Sequence, residues 1–253
     1  MRQIVSADNP HFRDWLKLAG SARQRRKSGL TLLDGAHLLA ACLGAGLRPK
    51  QVILGGAPTE EVAGLLARAP DVPLTQLDVV LFSQLSELKT PTGVLALLEI
   101  PRIEAVESNF VLLLEDIQDP GNLGSMIRSA AAAGCDAVFL SKGCADAWSP
   151  RVLRAAMGGH FVLNIVEEAD LLAVADGLGG QVFAASLAGK RSLYDCKLDG
   201  QVGFAIGNEG AGLSAALQAA CQPFIIPMPG RVESLNAAAA AAICLFEAVR
   251  QRQ

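Results

Sequence analysis

With 253 residues, 51% hydrophobic and 19% charged, the chain can build one large core or two smaller ones and is too apolar to be disordered. A net charge of −3 excludes a surface given over wholesale to nucleic acid, while leaving room for a local basic patch. Six cysteines without a C-x-x-C pair and three histidines offer no zinc-ligand spacing, so a metal site is not expected.

The cysteines sit in apolar or helical stretches and read as free thiols in a reducing compartment. The N-terminus (Arg2, Gln3, Ser6, Asp8, Asn9) lacks the apolar centre of a signal peptide. The longest apolar segment, 237–246, is about half the roughly 20 residues a membrane span needs. The expectation is a soluble, cytoplasmic protein with no membrane partner.

In chain order, Phe12, Trp15, Leu16 and Leu18 predict a short amphipathic helix. Arg23-Gln24-Arg25-Arg26-Lys27 follows, the densest positive run in the chain. It reads either as a solvated helix face or as a phosphate-contacting patch whose binding weakens steeply with salt. From residue 30 strands and helices alternate. Strands are expected at 30–33, 51–54, 74–77 and 93–99, and helices at 35–43, 59–68 (capped by Thr59) and 78–85. Residues 100–109 break the pattern with Pro101 and charges, and the domain linker is placed there.

Beyond it, strands are expected at 111–115, 137–140, 161–166, 182–186, 202–206 and 223–227, with helices at 122–133, 150–157, 169–176, 213–220 and 234–250. Strands apolar throughout and separated by helices imply an α/β fold with a parallel sheet covered on both faces. On such a sheet ligands sit at the carboxyl ends of the strands.

Three loops fall at such ends. The first, Asp119-Pro120-Gly121-Asn122-Leu123-Gly124-Ser125-Met126-Ile127-Arg128, reads as a turn into a helix with Asn122 as its N-cap. Leu123, Met126, Ile127, Ala130 and Gly134 form its core-facing stripe, leaving Arg128 off the stripe and leaning towards the helix N-terminus, where an anion is favoured. The second, Gly207-Asn208-Glu209-Gly210-Ala211-Gly212, has neither dinucleotide-fold glycine spacing nor a Walker lysine. Its glycines permit close backbone approach to a flat ligand, and Glu209 either ties down a neighbouring loop or meets substrate. In the third, Pro227-Met228-Pro229-Gly230-Arg231-Val232-Glu233-Ser234-Leu235-Asn236, Ser234 reads as an N-cap and Asn236 as a residue inside the first turn of the last helix.

Together and in this order, the three loops resemble the SpoU (TrmH-like) family of RNA ribose 2′-O-methyltransferases within the SPOUT superfamily, over about residues 108–250. The first part, with Leu32-Leu33-Asp34-Gly35-Ala36-His37, resembles that family's N-terminal substrate-binding domain of ribosomal-protein-L30e-like fold, although Asp34 stands where Glu is expected. The resemblance implies two domains, 1–100 for RNA binding and 108–253 for methyl transfer, the second with a deep trefoil knot. It implies S-adenosylmethionine as cofactor, lined by Gly207, Ile226, Met228 and Leu235, and a homodimer. Arg128 matches the family's catalytic arginine, and Asn122, Glu209, Ser234 and Asn236 complete the reacting set. A guanidinium keeps its proton at neutral pH, so Arg128 is read as a clamp on the phosphate beside the target ribose rather than as a base. Asn122 would orient Arg128 or contact the ribose; Glu209 would fix the loop or Arg128. Arg23, Arg25, Arg26 and Lys27 are the expected RNA-contacting cluster. Ribosomal RNA is favoured over tRNA by the two-domain layout; a non-catalytic RNA-binding module of the same fold is the competing reading.

Overall fold

A computed structural model describes residues 2–88, 90–101, 108–186, 189–232 and 234–253. They divide into two units, Met1–Arg102 with Trp148–Phe161, and Ile103–Ala147 with Val162–Gln253. The linker expected at 100–109 falls mostly on residues 102–107, outside the described ones.

The first unit runs β1 (Arg2–Ile4), α1 (Pro10–Gly20), α2 (Ala22–Ser28), β2 (Leu30–Asp34), α3 (Ala36–Gly44), β3 (Gln51–Leu54), α4 (Glu60–Ala67), β4 (Leu74–Leu77), α5 (Val79–Leu85) and β5 (Val94–Glu99). Its sheet has the order β1-β4-β3-β5-β2. β1, β4 and β3 are parallel, and β5 runs antiparallel to β3 and β2. β1 has no counterpart in the sequence reading: Arg2-Gln3-Ile4 carries one apolar residue, and the strand exists only by pairing with β4. α1 is capped by Asn9 and buries Phe12, Trp15 and Leu18 against Leu32, Ile53, Leu77, Phe82 and Leu95.

The basic run forms α2, and it divides in two. Arg23, Arg26 and Lys27 are exposed. Arg25 is 4% exposed and donates hydrogen bonds to the Leu18 and Ala19 carbonyls at the end of α1. Its guanidinium is spent on carbonyls that α1 leaves unpaired, so Arg25 does not belong to the expected RNA-contacting cluster. Asp34 is buried at the end of β2, where its carboxylate accepts from the Ser86 hydroxyl and the Glu87 N–H. Burial pushes its carboxyl above the usual range, against the pull of those hydrogen bonds.

The second unit opens with β6 (Phe110–Leu114), α6 (Pro120–Ala133) and β7 (Ala137–Leu140). α7 (Pro150–Ala156) and the 3₁₀ turn Gly159–Phe161 then belong to the first unit, where the Thr31 hydroxyl donates to the Trp148 carbonyl at 2.7 Å and Trp148 meets His160 edge-on. The strand expected over 161–166 is accordingly shorter, β8 (Asn164–Val166). α8 (Leu171–Gly177), β9 (Gln181–Ala185), β10 (Val202–Ile206), α9 (Ala215–Ala220), β11 (Gln222–Phe224) and α10 (Ala237–Gln251) complete the chain.

The sheet order is β11-β9-β10-β6-β7-β8, parallel throughout. β6 and β10 are fully buried, as their unbroken apolar text requires. β9 lies between β10 and β11, so the three loops share one rim without all three strands being neighbours. Phe183, Phe204 and Phe224, one from each of β9, β10 and β11, pack as a triangle with ring centres 6.2–6.4 Å apart and fix those strand ends relative to one another. α10 packs on α6 and on β10. Its end is pinned by Arg252, which donates to the Leu198 and Gly200 carbonyls and lies 4.0 Å over the Phe110 ring.

All six cysteines are free. Burial pushes the thiols of Cys42 and Cys221 up to about 11 and that of Cys135 up to about 12. Among the described residues no helix is long and apolar enough to cross a membrane, and no group of three or more His, Cys, Asp or Glu could hold a metal ion.

Candidate active site

The rim is built from three strand-to-helix connections, and local chemistry sets each. After β6, Asp119 accepts the Asn122 N–H at 2.7 Å and Pro120 occupies the first helical turn. The N-cap of α6 is therefore Asp119, not Asn122, because the helix begins two residues earlier than the periodicity suggested. Leu123, Met126, Ile127 and Ala130 are buried as the stripe requires, but Gly134 is the left-handed cap that ends the helix. Freed from capping, the Asn122 side chain is available at the rim.

After β10 the chain folds back on itself. A Cβ at Gly207 would lie 2.3 Å from the Gly212 carbonyl carbon, so only glycine permits this reversal. Asn208 accepts from the Gly210 and Ala211 N–H groups and donates to the Asp116 carbonyl at 3.0 Å. The Ser214 N–H donates to the Glu115 carboxylate at 2.6 Å. The second loop is thus fastened to the first at both ends.

After β11, α10 begins at Ala237, three residues later than expected, and Asn236 is its N-cap, accepting from the Ala238 and Ala239 N–H groups. Capping therefore falls to Asn236 and not to Ser234. With its oxygen engaged, the Asn236 amide nitrogen donates to Asn122 Oδ1 at 3.0 Å, and Asn122 Nδ2 donates to Glu209 Oε1 at 2.6 Å. One residue from each loop joins a single chain of hydrogen bonds. Neither Asn122 nor Glu209 holds Arg128, one of the two roles the sequence reading left open for each.

Arg128 is exposed and, among the described residues, makes no hydrogen bond or ion pair. It stands six positions beyond Asn122, about 9 Å along the axis of α6, a distance its side chain spans in part by leaning towards the N-terminus.

Next to Asn236 lies a cavity of about 190 Å³ lined by Ala185, Ser186, Ile225, Ile226, Met228, Ser234, Leu235 and Ala240. Ile226, Met228 and Leu235 therefore meet as expected, joined by Ser234. Gly207 is not among the lining residues; its smallness serves the loop reversal instead. The lining from β9 (Ala185, Ser186) and Ile225 escaped the sequence reading, which drew its site only from the loops after 111–115, 202–206 and 223–226 and passed over the connection after β9, although that connection carries Gly189, Lys190 and Arg191. Its strand-end position was a further signal.

Residues 109–246 match the model of the SpoU rRNA methylase family. The chain belongs to that family. Residues 9–96 match the MRM3-like substrate-binding domain. Over 253 aligned residues the SpoU chain is 34% identical to a 23S rRNA (guanosine(2553)-2′-O)-methyltransferase of Bacillus subtilis, covering 97% of this chain and 98% of the relative. Among solved structures it is similar to the SpoU methyltransferase AviRb of Streptomyces viridochromogenes in complex with AdoMet (TM-score 0.86, 30% identity, 96% and 98% of the two chains). It is also similar to an AdoMet-bound rRNA methyltransferase of Sinorhizobium meliloti (TM-score 0.85, 27% identity, 98% and 97%). The loops that carry Asn122, Glu209 and Asn236 all lie within the matched residues.

Proposed function

We propose that this protein transfers a methyl group from S-adenosylmethionine to a ribose 2′-hydroxyl of ribosomal RNA. One observation carries the reading: the three loops of the parallel sheet's rim are hydrogen-bonded into one chain, Asn236–Asn122–Glu209, beside an apolar cavity and on the helix that bears Arg128. Extended similarity to a ribosomal RNA methyltransferase across both units supports ribosomal RNA over tRNA. It equally disfavours a binding module without catalysis.

The cavity suits the cofactor. Ile225, Ile226, Leu235 and Ala240 give an apolar slot for a flat heterocycle, and nothing in the lining demands a phosphate, which the cofactor lacks. When bound, S-adenosylmethionine supplies a methyl group on a positively charged sulfur. Ile226, Met228 and Leu235 would hold it and keep water out. Arg128, with an unengaged guanidinium, would grip the phosphate next to the target ribose and orient the hydroxyl. Ser234, on the cavity wall, would hydrogen-bond substrate or cofactor.

The fold-level parts of the proposal are a trefoil knot in the second unit, an L30e-like first unit that binds RNA through Arg23, Arg26 and Lys27, and a homodimer acting in the cytoplasm. The knot is supported by the strand order: with β11 at the sheet edge beyond β9, the chain must return across the rim for α10 to pack on α6. Buried, free thiols suit a reducing compartment.

The test is Arg128→Ala. Calorimetric cofactor affinity should stay within about twofold, while methyl transfer to unmodified ribosomal RNA falls at least about 100-fold, a loss typical of removing one charge-stabilising contact. Activity within a few-fold of wild type with cofactor binding intact would remove Arg128 from the mechanism.

A further inference from the structure

We propose that Glu209 is the proton acceptor for the ribose hydroxyl, and that Asn122 and Asn236 are positioning residues that aim it. The inference rests on the methyl-transfer reading and assigns the one role that reading leaves empty, since Arg128 cannot accept a proton.

The direction of the hydrogen-bond chain is fixed from one end. Asn236 Oδ1 accepts from two N–H groups of α10, at 2.9 and 3.2 Å, so its amide nitrogen must face outward. That nitrogen donates to Asn122 Oδ1, which turns Asn122 Nδ2 towards Glu209 Oε1. Every donor points the same way, from a helix N-terminus to a carboxylate. The arrangement needs an acceptor at its far end, and Glu209 Oε1 is that acceptor. The Asn122 amide is held at both its oxygen and its nitrogen, and that double hold aims it at Glu209.

Glu209 differs from the other carboxylates of this rim. Asp119 caps α6, Glu115 holds the Ser214 N–H, and Asp116 accepts from the Ser141 hydroxyl. Each of those bonds fastens the fold. Glu209 is exposed, its bond runs to the loop of another rim strand through a side chain, and its Oε2 has no hydrogen-bond partner among the described residues.

As the ribose oxygen forms its bond to the methyl carbon and the carbon–sulfur bond breaks, sulfur leaves as a neutral thioether and the hydroxyl proton becomes strongly acidic. Glu209 Oε2 takes that proton as the new bond forms, so that no protonated ether builds up. The proton ends on Glu209 Oε2 and passes to water.

Glu209→Gln separates this role from that of a loop tie, because the glutamine oxygen still accepts from Asn122. Turnover on unmodified ribosomal RNA should fall by about 100-fold to 10,000-fold, the range for a lost general base. Calorimetric cofactor affinity and filter-binding affinity for RNA should stay within about twofold. Glu209→Asp, which keeps the acid at shorter reach, should show intermediate turnover. Turnover of Glu209→Gln within about threefold of wild type would overturn the proposal. So would a parallel loss of cofactor affinity, which would make Glu209 a loop tie. A wild-type protein that methylates no RNA would instead bring down the function proposed above, and this inference with it.

Discussion

Arg25 offers a quantitative test of how the basic run is divided. Arg25→Ala removes a buried guanidinium that donates to the Leu18 and Ala19 carbonyls. A hydrogen bond from a charged donor contributes about 1.5–3 kcal/mol net, and carbonyls at a helix end regain part of that from water. The expected cost is therefore about 2–4 kcal/mol. With a urea m-value of about 1–3 kcal/mol/M, the midpoint should move down by about 1 M or more. The assay reads one unit selectively: both tryptophans, Trp15 and Trp148, belong to the first, so tryptophan fluorescence follows its unfolding alone. Arg26→Ala and Lys27→Ala, on exposed positions, should leave the stability within about 0.5 kcal/mol of wild type. Each should lower the salt slope of RNA binding by about 0.7–0.9, whereas Arg25→Ala should leave that slope unchanged. A midpoint unmoved by Arg25→Ala, together with a reduced salt slope, would refute the division.

Asn122→Asp should set a carboxylate against Glu209 across a contact that now measures 2.6 Å, turning Glu209 away and lowering turnover at least about tenfold while cofactor affinity stays within about twofold. Adding Glu209→Gln should not restore the rate, because the proton acceptor is then gone; calorimetry and turnover on one sample check both halves. Asp34 governs a pH effect in the first unit. Its folded carboxyl is raised by burial, so its contribution to stability is full at low pH and is lost as pH rises through the folded value. Wild type should therefore gain on Asp34→Asn as pH falls from 7 towards 4, by urea midpoints; a difference that does not change with pH would refute the assignment.

The capping residues show where local text suffices and where it fails. Thr59 and Asp78 cap α4 and α5 as side chains directly before an apolar-periodic run should. At α6 the same rule pointed to Asn122, because the apolar stripe starts at Leu123; Asp119 competes for the same N–H groups and Pro120 fits the first turn. At α10 the alanines carry no phase, so nothing in the text could say whether Ser234 or Asn236 starts the helix.

What the sequence alone determined is the alternation of strands and helices, the parallel sheet of the second unit, the three loops on its rim, and the apolar meeting of Ile226, Met228 and Leu235. The first three follow from periodicity and short-range stereochemistry, which act between residues close in the chain; the meeting of Ile226, Met228 and Leu235 came from the resemblance of the three loops to the SpoU family. Tertiary structure alone decided that Arg25 is interior, that Arg2–Ile4 is a strand, that Trp148–Phe161 packs with the first unit, and that Asn236, Asn122 and Glu209 are joined. Those outcomes depend on which donor meets which acceptor across as many as 117 positions of chain, a choice made by packing and not by neighbours in sequence.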